Sequence, residues 1–199
     1  MEDFNLYFRL GTDHILSWDA LDHLLFITAL CLRYLIRDWK KVIILVTAFT
    51  IGHSITLAAG AMGLVPFSRT WIEFLIPLTI LATAIANLRQ KPIPPQNRSL
   101  PLIYFFALFF GLIHGLAFAS SFLSLEGKEK LVVHLFAFNL GIEVAQIFVV
   151  AIVLLCSFLV VQLLQLSRIG WIRIGSFLIV IVSLKMAFER WPYHNHLHT

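Results

Sequence analysis

The chain alternates long apolar runs with short polar segments rich in Lys, Arg, Gly or Pro. A membrane-spanning helix needs about 20 mostly apolar residues, and six runs approach or exceed that length. The predicted spans are residues 18–36, 41–63, 70–88, 101–123, 131–164 and 170–188. Breakers such as Gly63, Pro66 and Pro92 fall between them, as loops require. We predict an all-α membrane protein, a single domain over residues 1–199, with about six helices in a polytopic bundle.

The composition supports this fold class. Hydrophobic residues make up 59% of the chain and charged residues 13%, whereas a soluble domain carries roughly a quarter charged residues. The apolar runs show no strict alternation, which favours helices over a transmembrane barrel. Cys31 and Cys156 lie inside apolar runs, so we predict two small buried hydrophobic residues and no disulfide.

Lys and Arg concentrate in alternate loops. Of the 15 basic residues, nine lie in or beside the loops after the first, third and fifth predicted spans, and six lie on the other side. Basic loops stay in the cytoplasm, so both termini are predicted to lie outside it. The same loops account for the formal net charge of +4. The predicted partner is therefore the lipid bilayer, not nucleic acid.

Ionisable residues interrupt the start of the first span, in the segment HILSWDALDHLLF. Asp19, Asp22 and His23 have the i, i+3, i+4 spacing that places side chains on one face of a helix, and His14 precedes them near the outer mouth. Ionisable side chains inside a membrane cost several kcal/mol unless they are paired or hydrated, so they usually mark a functional site.

Two further histidines lie in the predicted spans. His53 follows the midpoint of the second span, and His114 lies in the fourth. Gly111 and Gly115 flank His114 in a G-x-x-x-G pattern that allows another helix to approach closely, within this chain or from a second copy. The predicted orientation places both histidines in the outer half of the membrane.

The fifth span carries a polar stripe, because Asn139, Glu143 and Gln146 have the spacing i, i+4, i+7. Four helices thus present His or carboxylate groups at similar depth, which favours one shared site. Simpler interpretations exist for single residues: a lone intramembrane His often ties two helices together, Asp19 is suited to the start of a helix, and His134 is predicted at the outer membrane surface.

Imidazole and carboxylate together suit divalent transition-metal ions such as Ni²⁺, Co²⁺, Zn²⁺ and Fe²⁺. Adjacent side chains on a helix diverge by about 100°, so Asp22 and His23 are not expected to share one ion in the simplest geometry, and Asp22 could instead face a histidine of another span. Which carboxylate binds the ion and which one orients a histidine stays open. The predicted metal ligands are His14, Asp22, His23, His53, His114 and Glu143. The predicted supporting or pathway residues are Asp19, Thr50, Ser54, Asn139 and Gln146.

Four motifs in order along the chain resemble one family: DHLLF, FTIGHSITL, FGLIHGLAFA and FNLGIEVAQ. They are similar to the HupE/UreJ family of bacterial membrane proteins. The resemblance implies a multi-pass protein of the bacterial inner membrane that takes up nickel or cobalt for hydrogenase and urease. It also implies that His14, Asp22 and His23 form the His…Asp-His motif of the first helix, and that His114 belongs to the His-Gly motif.

The chain departs from the better-known nickel permeases at two places. Seven residues separate His14 from Asp22, a longer spacing than theirs, and Phe118 stands where their His-Gly motif has a second histidine. These differences indicate a divergent branch. The tail also carries His194, His196 and His198, which could gather metal ions or lie solvated.

Two functions fit these residues. A permease for a divalent metal ion would use the His/Asp/Glu cluster to replace the hydration shell of the ion, and the absence of a Walker A motif argues against direct ATP drive by this chain. An intramembrane zinc-dependent hydrolase would use the same cluster, with Glu143 or Asp22 as general base. The permease is favoured, and a homo-oligomer is compatible with either.

Overall fold

The computed structural model describes the backbone of residues 2–89, 100–125 and 131–192, and the side chains of 3–18, 20–89, 104–119 and 131–192. The three tail histidines lie outside these ranges. The described backbone is helical and contains no strand, as predicted. Cys31 is buried as predicted, whereas the prediction of burial is wrong for Cys156, which lies on the exposed face of α6; both are free thiols.

Seven α-helices cover most of the described backbone. They are α1 Glu2–Leu16, α2 Leu21–Cys31, α3 Trp39–Ala61, α4 Arg69–Arg89, α5 Leu100–Leu125, α6 Leu131–Phe158 and α7 Arg168–Glu189. Short 3₁₀ turns precede α2 and α3, and a π-helical turn, Leu159–Leu163, extends α6. The bounds of α3 to α7 lie close to the second to sixth predicted spans.

The predicted first span, residues 18–36, is not a single helix. The helical chain already begins at Glu2, breaks at Ser17, passes through the 3₁₀ turn Trp18–Ala20 and resumes as α2, which ends at Cys31. Ser17 has extended backbone angles (φ −72°, ψ 153°), which end the α-helical hydrogen-bond ladder. No Pro or Gly marks this break, so the sequence pattern did not reveal it.

The sequence pattern did not predict helix α1, because polar residues obscure its narrow apolar stripe. Tyr7, Gly11 and Ile15 are buried at i, i+4 and i+8, a helical period, while Arg9 and Asp13 are exposed. The buried stripe packs against α6.

Four helices among the described residues are long and apolar enough to cross a membrane. They are Ile36–Ala61, Arg69–Arg89, Leu131–Leu163 and Arg168–Glu189. Leu21–Cys31 and Tyr104–Ala119 are shorter apolar helices, the latter being the part of α5 with described side chains. Large apolar side chains such as Phe136, Phe148 and Phe177 are exposed. Lipid tails would cover such surfaces, so the protein is a membrane protein.

Contacts between helices set their relative directions. Helix α3 runs parallel to α5, because Gly52 lies against Leu108 and Gly60 lies against Ala119. Helix α2 runs antiparallel to α3, because His23 lies near His53 whereas Phe26 lies against Phe49.

Helices α1 and α6 are also parallel. Tyr7 stacks on His134, and the next helical turn places Gly11 against Phe138. Only five residues join α5 to α6, too few to cross the bundle. Helices α1, α2 and α6 therefore descend together from one end of the bundle, and α3 and α5 return to it.

The bundle consequently has two distinct ends. At one end, which we call the cavity end, α1, α4 and α6 begin and α7 ends; it is defined by Glu2, Arg69, Leu131 and Arg190. At the other end, which we call the basic end, α2 and α4 end and α3 and α7 begin; it is defined by Arg33, Arg37, Lys41, Arg89 and Arg168. Helix α1 ends and α2 begins between these two ends.

Glycines bring two helix pairs into backbone contact. A Cβ atom on Gly111 would overlap the carbonyl oxygen of Phe49, and one on Gly115 would overlap that of His53. The reciprocal pair Gly11 and Gly141 joins α1 to α6 in the same way. The G-x-x-x-G pattern of α5 therefore packs α5 against α3 of the same chain, which fixes the depth of His53 relative to His114.

Replacing Gly111 with Leu is expected to force α3 and α5 apart. Overpacking of this kind lowers the free energy of unfolding by about 1–3 kcal/mol or more. The backbone of Phe49 lies directly against Gly111, so no space remains there for a side chain. Thermal unfolding of the purified protein in detergent should show a clear loss of stability for Gly111→Leu. Ala82→Leu, on the exposed face of α4, is the matched control. Equal stability of the two variants would contradict the packing described.

Candidate metal site

Three histidines from three helices meet where α1 ends and α2 begins. His14 lies in the last turn of α1, His23 in the first turn of α2 and His53 in the second half of α3. One ligand atom of each lies within 4.8 Å of the other two. The ring centroid of His14 is 4.7 Å from that of His23 and 5.8 Å from that of His53. We name these residues the histidine cluster.

The nitrogens of the histidine cluster are buried without hydrogen-bond partners among the described residues. By distance and angle this holds for Nε2 of His14, Nε2 of His23 and both ring nitrogens of His53, although the Asn139 side chain lies close enough to His53 to interact with it. A buried polar atom left without a partner costs about 1–3 kcal/mol. Nitrogens bound at about 2.0–2.1 Å from one ion lie roughly 3.4 Å apart, so small ring rotations would bring three nitrogens to a shared cation.

Asp22 orients one of these rings. Its Oδ1 accepts a hydrogen bond from the backbone N–H of His23 at 2.8 Å and lies 2.9 Å from Nδ1 of the same residue. With Nδ1–H donated to the carboxylate, the lone pair of His23 lies on Nε2, the buried nitrogen without a partner. Of the alternatives that the sequence left open, the structure shows Asp22 in contact with the adjacent His23 of its own helix, because a carboxylate at a helix start can reach the ring of the next residue.

His114 forms the neighbouring wall. It is buried, its ring centroid lies 5.1 Å from that of His23, and its Nε2 lies 3.5 Å from the Thr79 hydroxyl of α4. Its Nδ1 is buried without a partner. His114 is therefore adjacent to the histidine cluster but not one of its three converging ligands.

Aromatic rings enclose the histidine cluster. Phe118 lies 4.2 Å from the His14 ring, centroid to centroid, and stacks on Phe138 with an interplanar angle of 3°. Phe49 lies 5.1 Å from His114. Phe118 is the residue that the sequence resemblance places where the nickel permeases have a second histidine. Apolar walls of this kind exclude water and strengthen electrostatic interactions inside the site.

A cavity of about 410 Å³ connects the histidine cluster to the cavity end of the bundle. Its walls include His14, Ser17, Asp22, His23 and His114 at the inner part, and Arg69, Glu73 and Arg190 towards the cavity end. Arg190 Nη1 lies 3.1 Å from Asp22 Oδ2, and Arg69 Nε lies 2.6 Å from Glu73 Oε1. The sequence pattern did not single out Arg190, because it follows the last predicted span and its partner is 168 residues away.

Glu143 and Gln146 lie on a different surface. The Thr47 hydroxyl donates to Glu143 Oε1 at 2.5 Å, and the Thr50 hydroxyl donates to Gln146 Oε1 at 2.8 Å. These bonds form a polar layer between α3 and α6. Glu143 Oε2 and Gln146 Nε2 are buried without partners among the described residues. The structure does not bring Glu143 into the group of converging metal ligands.

Ser54 donates to the Thr50 carbonyl within its own helix. Asn139 donates to the Leu135 carbonyl of its own helix, and its side chain also lies next to His53. Asp19 lies in the 3₁₀ turn that precedes α2, and its side chain lies outside the described set. His134 lies in the first turn of α6 at the cavity end and is buried against Tyr7, with ring centroids 4.1 Å apart.

Comparison with known proteins gives one result. The family model described as "HupE / UreJ protein" matches residues 1–190, a range that contains every residue of the site. No curated protein and no solved structure matches the chain. Because the family match covers almost the whole sequence, the chain belongs to the HupE/UreJ family, and this membership together with the histidine cluster suggests a transporter of metal ions.

Proposed function

We propose that the protein is a permease for a divalent transition-metal ion of the Ni²⁺/Co²⁺ class, and that the ion passes through the histidine cluster. The observation that carries this proposal is the convergence of unpartnered buried nitrogens from His14, His23 and His53. Imidazole donors without thiolates suit Ni²⁺ and Co²⁺, as well as Zn²⁺ and Fe²⁺. In this proposal Asp22 orients His23, and His114 provides a further nitrogen as the ion moves.

The broken first segment supports transport. Transporters commonly bind ions where a membrane helix is interrupted near the bilayer midplane. Helix α1 ends and α2 begins at the histidine cluster, and α2 has only 11 residues, about 16 Å of helix. The C-terminal end of α1 favours a cation, and the N-terminal end of α2 favours the Asp22 carboxylate. We propose that α1 and α2 together cross the membrane as one interrupted span.

The polar layer between α3 and α6 offers an exit. Along α3, two threonines follow His53 towards the basic end at intervals of three residues. The first, Thr50, bonds to Gln146, and the second, Thr47, bonds to Glu143. Hydroxyl, amide and carboxylate oxygens can replace part of the hydration shell of an ion. In the proposed orientation the cavity end lies outside the cytoplasm and the basic end lies inside it, which agrees with the positive-inside rule.

Purified protein in liposomes is expected to carry Co²⁺ down its gradient, and His23→Ala is expected to reduce the flux more than about tenfold. Loss of a residue that only orients a metal ligand already costs about 10–100-fold in affinity. The flux is followed with a metal-sensitive dye inside the vesicles. Lys185→Gln, an exposed residue of α7, is the control and should retain full flux. Tight binding without flux of any divalent ion would instead favour an intramembrane metalloenzyme.

Asp22→Asn is expected to weaken Co²⁺ binding by about 10–100-fold, because the neutral amide holds the His23 ring less firmly and supplies no negative charge. Isothermal titration calorimetry of the detergent-solubilised protein measures the change. Asp38→Asn is the matched control, since Asp38 pairs with Lys41 beyond the end of α2. An Asp22→Asn protein with unchanged affinity would rule out this role for the carboxylate.

Glu143→Gln tests whether Glu143 acts in the exit path or in the metal-binding site. Because Glu143 bonds to Thr47 and lies outside the converging histidines, the substitution is expected to lower Co²⁺ flux at least about threefold while equilibrium affinity changes less than about twofold, a difference of roughly 0.4 kcal/mol. Glu189→Gln, on the exposed face of α7, is the control. Parallel loss of flux and affinity in Glu143→Gln would make Glu143 a metal ligand.

A further inference from the structure

Arg190 reaches from the end of α7 into the cavity. Its Nη1 atom lies 3.1 Å from Asp22 Oδ2, although the two residues belong to the last and the second helix. The Arg190 side chain is 29% exposed and the Asp22 side chain 10%. Both residues line the cavity that leads to the histidine cluster. The pair therefore lies between the cavity end of the bundle and the converging nitrogens.

Both oxygens of Asp22 are occupied. Oδ1 accepts from the backbone and ring nitrogens of His23, and Oδ2 accepts from Arg190. The negative charge that would attract a metal ion is thus neutralised by a cation of the chain itself. A guanidinium stays protonated under all ordinary conditions, so Arg190 releases the carboxylate only by moving its side chain.

The surroundings hold Arg190 at this position. Trp191, the next residue, packs edge-on against Phe74 of α4 with ring centroids 5.0 Å apart. The pair formed by Arg69 and Glu73 lies along the same cavity. The end of α7 is therefore packed against α4, and the Arg190 side chain extends from it into the cavity, partly exposed.

We propose that Arg190 is a tethered competitor of the transported ion and that it favours divalent over monovalent cations at Asp22. This inference rests on the proposed permease function. An arriving divalent ion brings two charges and replaces the single charge of Arg190, so Asp22 stays paired throughout. A monovalent ion offers Asp22 no more charge than Arg190 already provides, and it must also pay the desolvation cost of entering the cavity.

The test measures Co²⁺ binding to four purified full-length proteins in detergent, which together form a double-mutant cycle. They are the wild type, Arg190→Gln, Asp22→Asn and the double variant. Arg190→Gln is expected to bind Co²⁺ about tenfold more tightly, equivalent to about 1.4 kcal/mol. In the Asp22→Asn background the same substitution is expected to change the affinity less than about twofold, because the partner of Arg190 is absent. Lys185→Gln is the control for loss of a positive charge on α7.

Monovalent competition provides the second measurement. When Na⁺ replaces the bulky cation choline at constant ionic strength, Co²⁺ affinity of the wild type should stay unchanged, whereas that of Arg190→Gln should fall. Arg190→Lys keeps the charge on a shorter donor and should tighten Co²⁺ binding less than Arg190→Gln does. The lysine variant also preserves the test if loss of the charge unfolds the protein.

Three results would overturn the inference. Unchanged or weaker Co²⁺ affinity of Arg190→Gln would show that Arg190 does not compete. Equal tightening in both Asp22 backgrounds would show a general electrostatic effect that does not act through Asp22. Equal sensitivity of the wild type and Arg190→Gln to Na⁺ would remove the role in selectivity. Failure of the wild-type protein itself to bind Co²⁺ is a separate outcome, since it overturns the permease function together with the inference.

Discussion

The cost of burying imidazole nitrogens away from water is the constraint on which the arrangement depends. The hydrocarbon core of a membrane contains no water that could hydrogen-bond to a buried nitrogen without a protein partner. His23 and His53 are nevertheless almost fully buried, and one nitrogen of each lies within 4.8 Å of the other and of a His14 nitrogen. A divalent cation satisfies several such nitrogens at once, which no single hydrogen bond within the bundle can do. The same low-dielectric surroundings strengthen the hold of Asp22 on His23 and of Arg190 on Asp22.

Small residues and a helix break place these nitrogens together. Gly111 and Gly115 allow the backbone of α5 to touch that of α3 at Phe49 and His53, so two histidine-bearing helices lie closer than ordinary side chains permit. Gly11 and Gly141 do the same for α1 and α6. The interruption between α1 and α2 then brings two histidines from one stretch of chain to a single depth, with one helix ending and the other beginning at the site.

Much of this arrangement could be predicted from the sequence. The helical class, the approximate bounds of α3 to α7 and the meeting of His14, His23 and His53 follow from apolar run length and from the cost of ionisable groups in a membrane. The grouping of histidines was predictable because ionisable side chains inside a membrane face the interior of the bundle and pair with one another. The family resemblance was confirmed by the match over residues 1–190.

Other features depend on three-dimensional contacts that periodicity does not encode. Helix α1 was missed because charged residues on its exposed face hide a narrow buried stripe. The break at Ser17 carries no Pro or Gly, so nothing in the local sequence marks its extended backbone. The role of Arg190 depends on a contact across 168 residues. Glu143 was predicted as a ligand from helical spacing, which gives the face of a residue but not the direction in which a long side chain turns.

X-ray absorption spectroscopy of the Co²⁺-loaded wild-type protein tests the central claim most directly, because it counts the ligands around the ion. The account predicts about three imidazole ligands in the coordination sphere, with the characteristic multiple scattering of histidine rings, and fewer imidazoles in His53→Ala. A coordination sphere made only of water and carboxylate oxygens, unchanged in His53→Ala, would contradict the proposal that the histidine cluster binds the ion.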